Sequence, residues 1–153
     1  MTGSRRLRKA DRGQAQVEFV LSVLFLVLLI FGIIELIMFM ATYNALANAA
    51  KAGVRYAIVH GTGTGSAYCS GPGAPGVSCA DAGAANVTSA VMTYAKLSLQ
   101  NVSASYVYPS YPDGSSAAPS RVRVVVNYPY HPLFGFGWPT AIVNAAAEGR
   151  IVN

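Results

Sequence analysis

Charged side chains are scarce in this chain of 153 residues. Asp, Glu, Lys and Arg together make up 11% of it, against 53% hydrophobic residues, whereas a soluble domain carries about 25% charged residues. This composition indicates an apolar segment in addition to a water-soluble core. The net charge of +5 comes mostly from residues 1–13, which hold five Lys and Arg side chains and one Asp. A basic folded face of the kind that binds nucleic acid is not indicated.

Side chains that usually carry catalysis or bind metals are also few. The chain has two histidines, His60 and His131, and its acids outside the apolar run, Asp81, Asp113 and Glu148, stand singly. Its two cysteines have no histidine nearby and fall short of the four ligands of a zinc site. We therefore expect no enzyme, and neither a cofactor, a metal nor a small-molecule substrate.

The longest apolar run extends from Phe19 to Ala41 and is interrupted only by Ser22, Gly32 and Glu35. About 20 apolar residues suffice for a helix to span a bilayer. The alternative is a buried core helix, but a domain this small could not enclose a helix that is apolar all round. Because Lys and Arg stay on the cytoplasmic side, the run predicts a single span with its N-terminus inside and the rest extracytoplasmic. The run is too long for a cleavable secretory signal.

The residues just before this run form a second pattern. Residues 12–19 read RGQAQVEF, and a glycine followed five residues later by glutamate resembles a type IV prepilin processing site. The resemblance implies cleavage by a prepilin peptidase between Gly13 and Gln14. Glu18 would then be the fifth residue of the mature chain, able to pair with the free amino terminus of a neighbouring subunit. The alternative is a loop glycine and an interfacial glutamate that reaches water.

Three stretches narrow the resemblance further. The chain resembles TadE-like proteins at residues 12–39, which have the V-E-F start and the G-I-I-E element. It also resembles them at residues 47–61, where an alanine-rich run ends in R-Y-A-I-V-H-G. The resemblance is looser at residues 121–133, RVRVVVNYPYHPL. TadE-like proteins are minor pilin-like components (pseudopilins) of the tight-adherence (Tad or Flp) pilus, a type IV pilus subclass that serves surface attachment. The resemblance implies a role in pilus assembly for surface adherence, with the prepilin peptidase, other pilin-like subunits and the assembly platform as partners.

The helix is predicted to continue beyond the membrane to His60. Small residues recur at every fourth position and form one stripe, which consists of Ala41, Ala45, Ala49, Gly53 and Ala57. Such a stripe lets another backbone approach closely; it packs either on another subunit or on the chain's own domain. Glu18, Phe19 and Glu35 are candidate assembly residues; for the two glutamates the reason is that an acid within a span usually has a functional contact. The alternative for Glu35 is a carboxylate close enough to the outer interface to reach water.

The remaining sequence predicts a small extracytoplasmic domain. Gly61 is placed to cap the long helix. Residues 61–80 are predicted to form a loop that a Cys69–Cys79 disulfide closes. Asp81 is predicted to cap a second helix that runs to about residue 99. Strands are predicted at 103–108, 121–128 and 142–152. The expected organisation is a leader at 1–13, a long helix at 14–60 and an α+β domain at 61–153 with a small antiparallel sheet.

Aromatic residues concentrate in the C-terminal half of the chain. The prominent members are Tyr106, Tyr108, Tyr111, Tyr128, Tyr130 and Trp138. They are either a binding surface or ordinary strand and core residues.

For the whole chain, the leading hypothesis is a processed minor pilin, and the alternative is an uncleaved, membrane-anchored adhesin or accessory binding protein. A membrane-bound enzyme is the third reading, and the sequence offers no active site for it.

Overall fold

The computed structural model describes residues 4–135 and 139–153 and has the predicted α+β class. The helices are α1, Ser4–Val59, and α2, Ala85–Ala95. The strands are β1, Val107–Ser110, β2, Arg121–Tyr130, and β3, Ala141–Arg150, with short 3-10 turns at Thr62–Thr64 and Ala104–Tyr106. The chain divides into two compact units, the first ending at Met38 and the second being Phe39–Asn153. The second unit therefore includes the C-terminal part of α1.

The antiparallel sheet has the order β1-β2-β3 and supplies one wall of the core. Val122, Val124 and Val126 of β2 are fully buried, while Arg121 before them and Arg123 between the first two are exposed. This alternation follows from the two-residue period of a strand. Across β2, Val124 lies opposite Ala147 and Val126 opposite Ala145. The small alanines leave room for α1 and α2, which pack on the same face.

Helix α2 begins four residues after Asp81, whose carboxylate caps it. The amides of Ala85 and Asn86 donate to this carboxylate at 2.7 and 2.8 Å, and the Ser70 hydroxyl donates at 2.5 Å. Partial burial favours the neutral acid, but these three hydrogen bonds outweigh it and hold the pKa of Asp81 below its ordinary value. The predicted cap is confirmed, but the helix ends at Ala95 and not near Leu99.

The disulfide between Cys69 and Cys79 is confirmed, and both cysteines are buried. Tyr111 fixes the same loop, because its hydroxyl donates to the carbonyl oxygen of Ser70 at 3.0 Å. Burial raises the pKa of Tyr111 to about 12, and the negative charge of Asp81 acts in the same direction. Closing a loop of this size contributes about 2–3 kcal/mol in the chain-entropy account.

Two further local predictions are wrong. Residues 104–106 form a 3-10 turn instead of a strand, since the Ser103 hydroxyl accepts from the Ser105 amide at 3.4 Å and competes with strand pairing. Gly61 is not a left-handed helix cap, because its φ is −80° and its ψ is −175°. A β-carbon there would lie 2.6 Å from the carbonyl oxygen of Ser116. Glycine is needed at this position for close backbone approach.

Candidate functional site: the N-terminal helix

The apolar run is exposed along α1. The most apolar window of 18 residues within Gly13–Val59 has a mean hydropathy of 3.0, and none of it is buried by the protein. Phe19 and Phe25 are each 69% exposed, and Gly32 has no neighbouring side chain within 4 Å of an added β-carbon. By length and composition this is a candidate membrane span. In water such a surface would be far larger than the apolar patches of soluble proteins.

The predicted processing residues lie together at the start of this exposed stretch. Gly13, Gln14 and Glu18 are all exposed, and all three belong to α1. Nothing approaches within 4 Å of an added β-carbon at Gly13. Although Gly13 is helical here, glycine is about 1 kcal/mol worse than alanine in a helix. Glycine therefore weakens the helix at the predicted cleavage position.

Glu18 shares a helix face with two other polar residues. Gln14, Glu18 and Ser22 are spaced by four and line one surface, together with Val17, Leu21 and Phe25. Residues four apart lie above one another on a helix. The alignment of Ser22 with Glu18 was missed in the sequence analysis, although the spacing of four was the signal for it. Polar groups gathered on one face of a span favour a protein contact over lipid.

Glu35 and Phe19 differ in exposure. Glu35 is half-buried, whereas Phe19 is exposed, and both belong to the first compact unit. The structure places both on α1 with Glu18, but they are separated along it and do not form one cluster.

The stripe of small residues divides into two parts. Ala49, Gly53 and Ala57 are buried in the core of the second unit, whereas Ala41 is exposed and Ala45 is half-buried. A β-carbon on Gly53 would collide with the side chain of Val91, so that α1 and α2 approach closely only because position 53 is glycine. In this chain the far part of the stripe therefore packs on its own domain, and only the part nearest the apolar run is open to another molecule.

Most of the aromatic residues in question have packing roles. Tyr111 and Tyr128 pack against the core, Tyr130 is only 8% exposed, and Tyr106 makes an edge contact with Tyr128. Tyr108 is 52% exposed. Trp138 lies outside the described residues.

The remaining polar residues occupy local, surface arrangements. His60 stacks on Tyr56 at 3.9 Å between ring centroids, and Arg121 pairs with Asp113 at 2.8 Å and with Glu148 at 3.9 Å. Within the described part of the chain, no three His, Cys, Asp or Glu residues are grouped as a metal site would require.

Comparison with known proteins found a similarity in the N-terminal part of the chain. A search of curated proteins and a search of solved structures gave no match. The family model that matches is that of TadE-like proteins, over residues 13–55. The match begins at Gly13 and covers the exposed apolar run and most of the stripe; it does not reach residues 121–133. The resemblance to the TadE-like family is thus confirmed over residues 13–55, and the match is confined to that stretch.

Proposed function

We propose that the protein is a minor pilin-like subunit that takes part in the assembly of a Tad-type pilus for surface adherence. The observation that carries this proposal is the coincidence of two features. The TadE-like match over residues 13–55 coincides with a helix whose apolar run is left uncovered by its own domain. A subunit that must sit in lipid and later contact other subunits needs such a surface.

The proposed location is the cytoplasmic membrane. Phe19–Ala41 crosses it once, the basic residues before Gly13 stay inside, and the disulfide-closed domain lies outside. An extracytoplasmic domain fits the buried Cys69–Cys79 bond, since disulfides persist in oxidising compartments. Entry into a surface pilus after processing belongs to the same proposal.

Assembly would use the polar face at the start of the span. After cleavage at Gly13, the new amino group on Gln14 carries a positive charge, and Glu18 of a neighbouring subunit would compensate it. An ion pair away from water is stronger than one in water, and each lone charge there is costly. Phe19, Glu35 and the exposed Ala41 would contact other subunits or the assembly platform. This role is structural, so we propose no enzymatic activity.

Processing gives the test. In cells with an active prepilin peptidase, we expect the mature wild-type chain to begin at Gln14, and Gly13→Leu to leave the leader attached, because a bulky side chain then occupies the scissile position. Intact mass and N-terminal sequencing measure both. Gly32→Leu is the matched control, since Gly32 lies in the same helix with equally open surroundings. It should be processed like the wild type.

The uncleaved alternative makes the opposite prediction. A wild-type chain that begins at Met1 or Thr2 in such cells would contradict the pilin-like role. It would favour a membrane-anchored adhesin or accessory binding protein.

A further inference from the structure

The end of the β2–β3 hairpin lies beside the end of the apolar run. Tyr130, the last residue of β2, makes an edge contact with Phe39, with ring centroids 5.4 Å apart and planes at 88°. Phe39 lies two residues before the end of the run at Ala41. Both aromatic residues belong to the second compact unit.

Strand β2 contacts α1 at a second point, near Gly53. Val124 lies 3.6 Å from the position that a β-carbon on Gly53 would take. From Gly53 back to Phe39 the helix covers about 21 Å, and from Val124 to Tyr130 the strand covers about 20 Å. The two lengths agree, so the hairpin connection leaves the sheet at the level of Phe39. At that level the apolar run ends.

Charge is distributed unevenly along this hairpin. Its charged residues, Arg121, Arg123, Glu148 and Arg150, all lie at the other end, and residues 124–147 contain no Asp, Glu, Lys or Arg. The uncharged end instead exposes aliphatic side chains, since Leu133 is 62% and Ile142 is 70% exposed. Exposed aliphatic side chains on a surface without charge are typical of a membrane or protein contact.

We propose that this end of the hairpin, with Leu133 and Ile142 as its lipid contacts, lies in the outer interface of the bilayer that Phe19–Ala41 spans. The inference rests on the proposed membrane anchoring. Lipid is the occupant because the hairpin end lies beside the last turn of the span and lacks charge. Tyr43 lies just past the run on the helix and is 46% exposed, so it places a further aromatic side chain near the same interface.

Fluorescence quenching by brominated lipids tests the proposal on the full chain in phosphatidylcholine and phosphatidylglycerol bilayers. The only tryptophan is removed by Trp138→Phe, and one tryptophan is introduced by Leu133→Trp, Ile142→Trp, Tyr68→Trp or Phe25→Trp. All four positions are at least 62% exposed, so the replacements should be tolerated. Tyr68 is the control on the disulfide loop, and Phe25 reports on the span itself.

We expect bromines on the upper part of the acyl chains to quench positions 133 and 142 by about half or more, since interfacial apolar groups reach about 5–10 Å into the boundary. Position 68 should be unquenched, and position 25 should respond most to bromines near the chain ends. If position 25 is quenched while 133 and 142 behave like 68, the hairpin contact is wrong and the anchor stands; a protein partner would then cover this end. If position 25 is not quenched, the anchor itself fails.

Discussion

Replacing Leu28 and Leu29 by lysine is expected to remove the chain from the membrane. Both leucines lie near the middle of the apolar run and are about half-exposed, at 51% and 47%. Each lysine at the centre of a span costs about 2.5–3.5 kcal/mol on insertion scales. The double variant L28K/L29K therefore loses about 6 kcal/mol of insertion free energy, or roughly four orders of magnitude in the insertion equilibrium.

The measurement is resistance to alkaline extraction from isolated membranes, with L28A/L29A as the matched control. Alanine shortens both side chains but leaves the run uncharged, so this control should stay in the membrane. Neither leucine belongs to the core of the second unit, so the domain should still fold in both variants. A lysine variant that resists extraction as the wild type does would contradict a lipid-embedded run.

Replacing Gly53 by leucine is expected to lower the free energy of unfolding of the domain by about 3 kcal/mol, near the upper end of the usual cost of overpacking. The new side chain would have to displace Val91 and Val87 of α2 and Val124 of β2. The gain in helix propensity, about 0.8 kcal/mol, is too small to offset this. Urea unfolding of the full chain in detergent, followed by near-UV circular dichroism, measures the effect.

Ala41→Leu is the control from the same stripe. Ala41 is exposed, so its replacement should change the unfolding free energy by less than about 0.5 kcal/mol. Comparing Gly53→Leu with Ala41→Leu separates the two interpretations of the stripe. Position 53 packs inside the chain's own domain, while position 41 is open to a partner. Equal losses at 41 and 53, or none at 53, would contradict the division that the packing indicates.

Patterns within short stretches predicted most of the fold. The alternation of Val122, Val124 and Val126 placed β2, and the spacing of Cys69 and Cys79 predicted their disulfide. Asp81 marked the start of α2, since its carboxylate acts on amides only a few residues away. In each case the signal and its structural cause lie close together along the chain.

Features set by distant contacts were not predictable in this way. Gly61 resembles a helix cap in sequence, yet its role depends on the close approach of Asn153, Ile151 and Ser116, all distant along the chain. The stripe has one pattern along its length, but whether a given member is buried depends on where α2 and β2 cross the helix. For the candidate site, the sequence predicted the exposed apolar run, and the roles of Gly13 and Glu18 stay predictions. The hairpin end beside Phe39 was missed, although the lack of charge between Arg123 and Glu148 was a readable signal.

The helix α1 serves two environments in this account. Its apolar run is exposed and long enough to span a membrane, while its later turns form part of a folded core that includes Leu46, Ala49 and Val54. This division explains why one helix carries both a membrane-like composition and a pattern typical of close helix packing.

The most direct test of the account is the side of the membrane on which the domain lies. An epitope tag added after Asn153 is exposed to protease in intact spheroplasts, with a cytoplasmic protein as the lysis control. We expect the tag to be digested without lysis while the cytoplasmic control stays intact. A tag that is protected until the spheroplasts are lysed would contradict a single span with an outer domain.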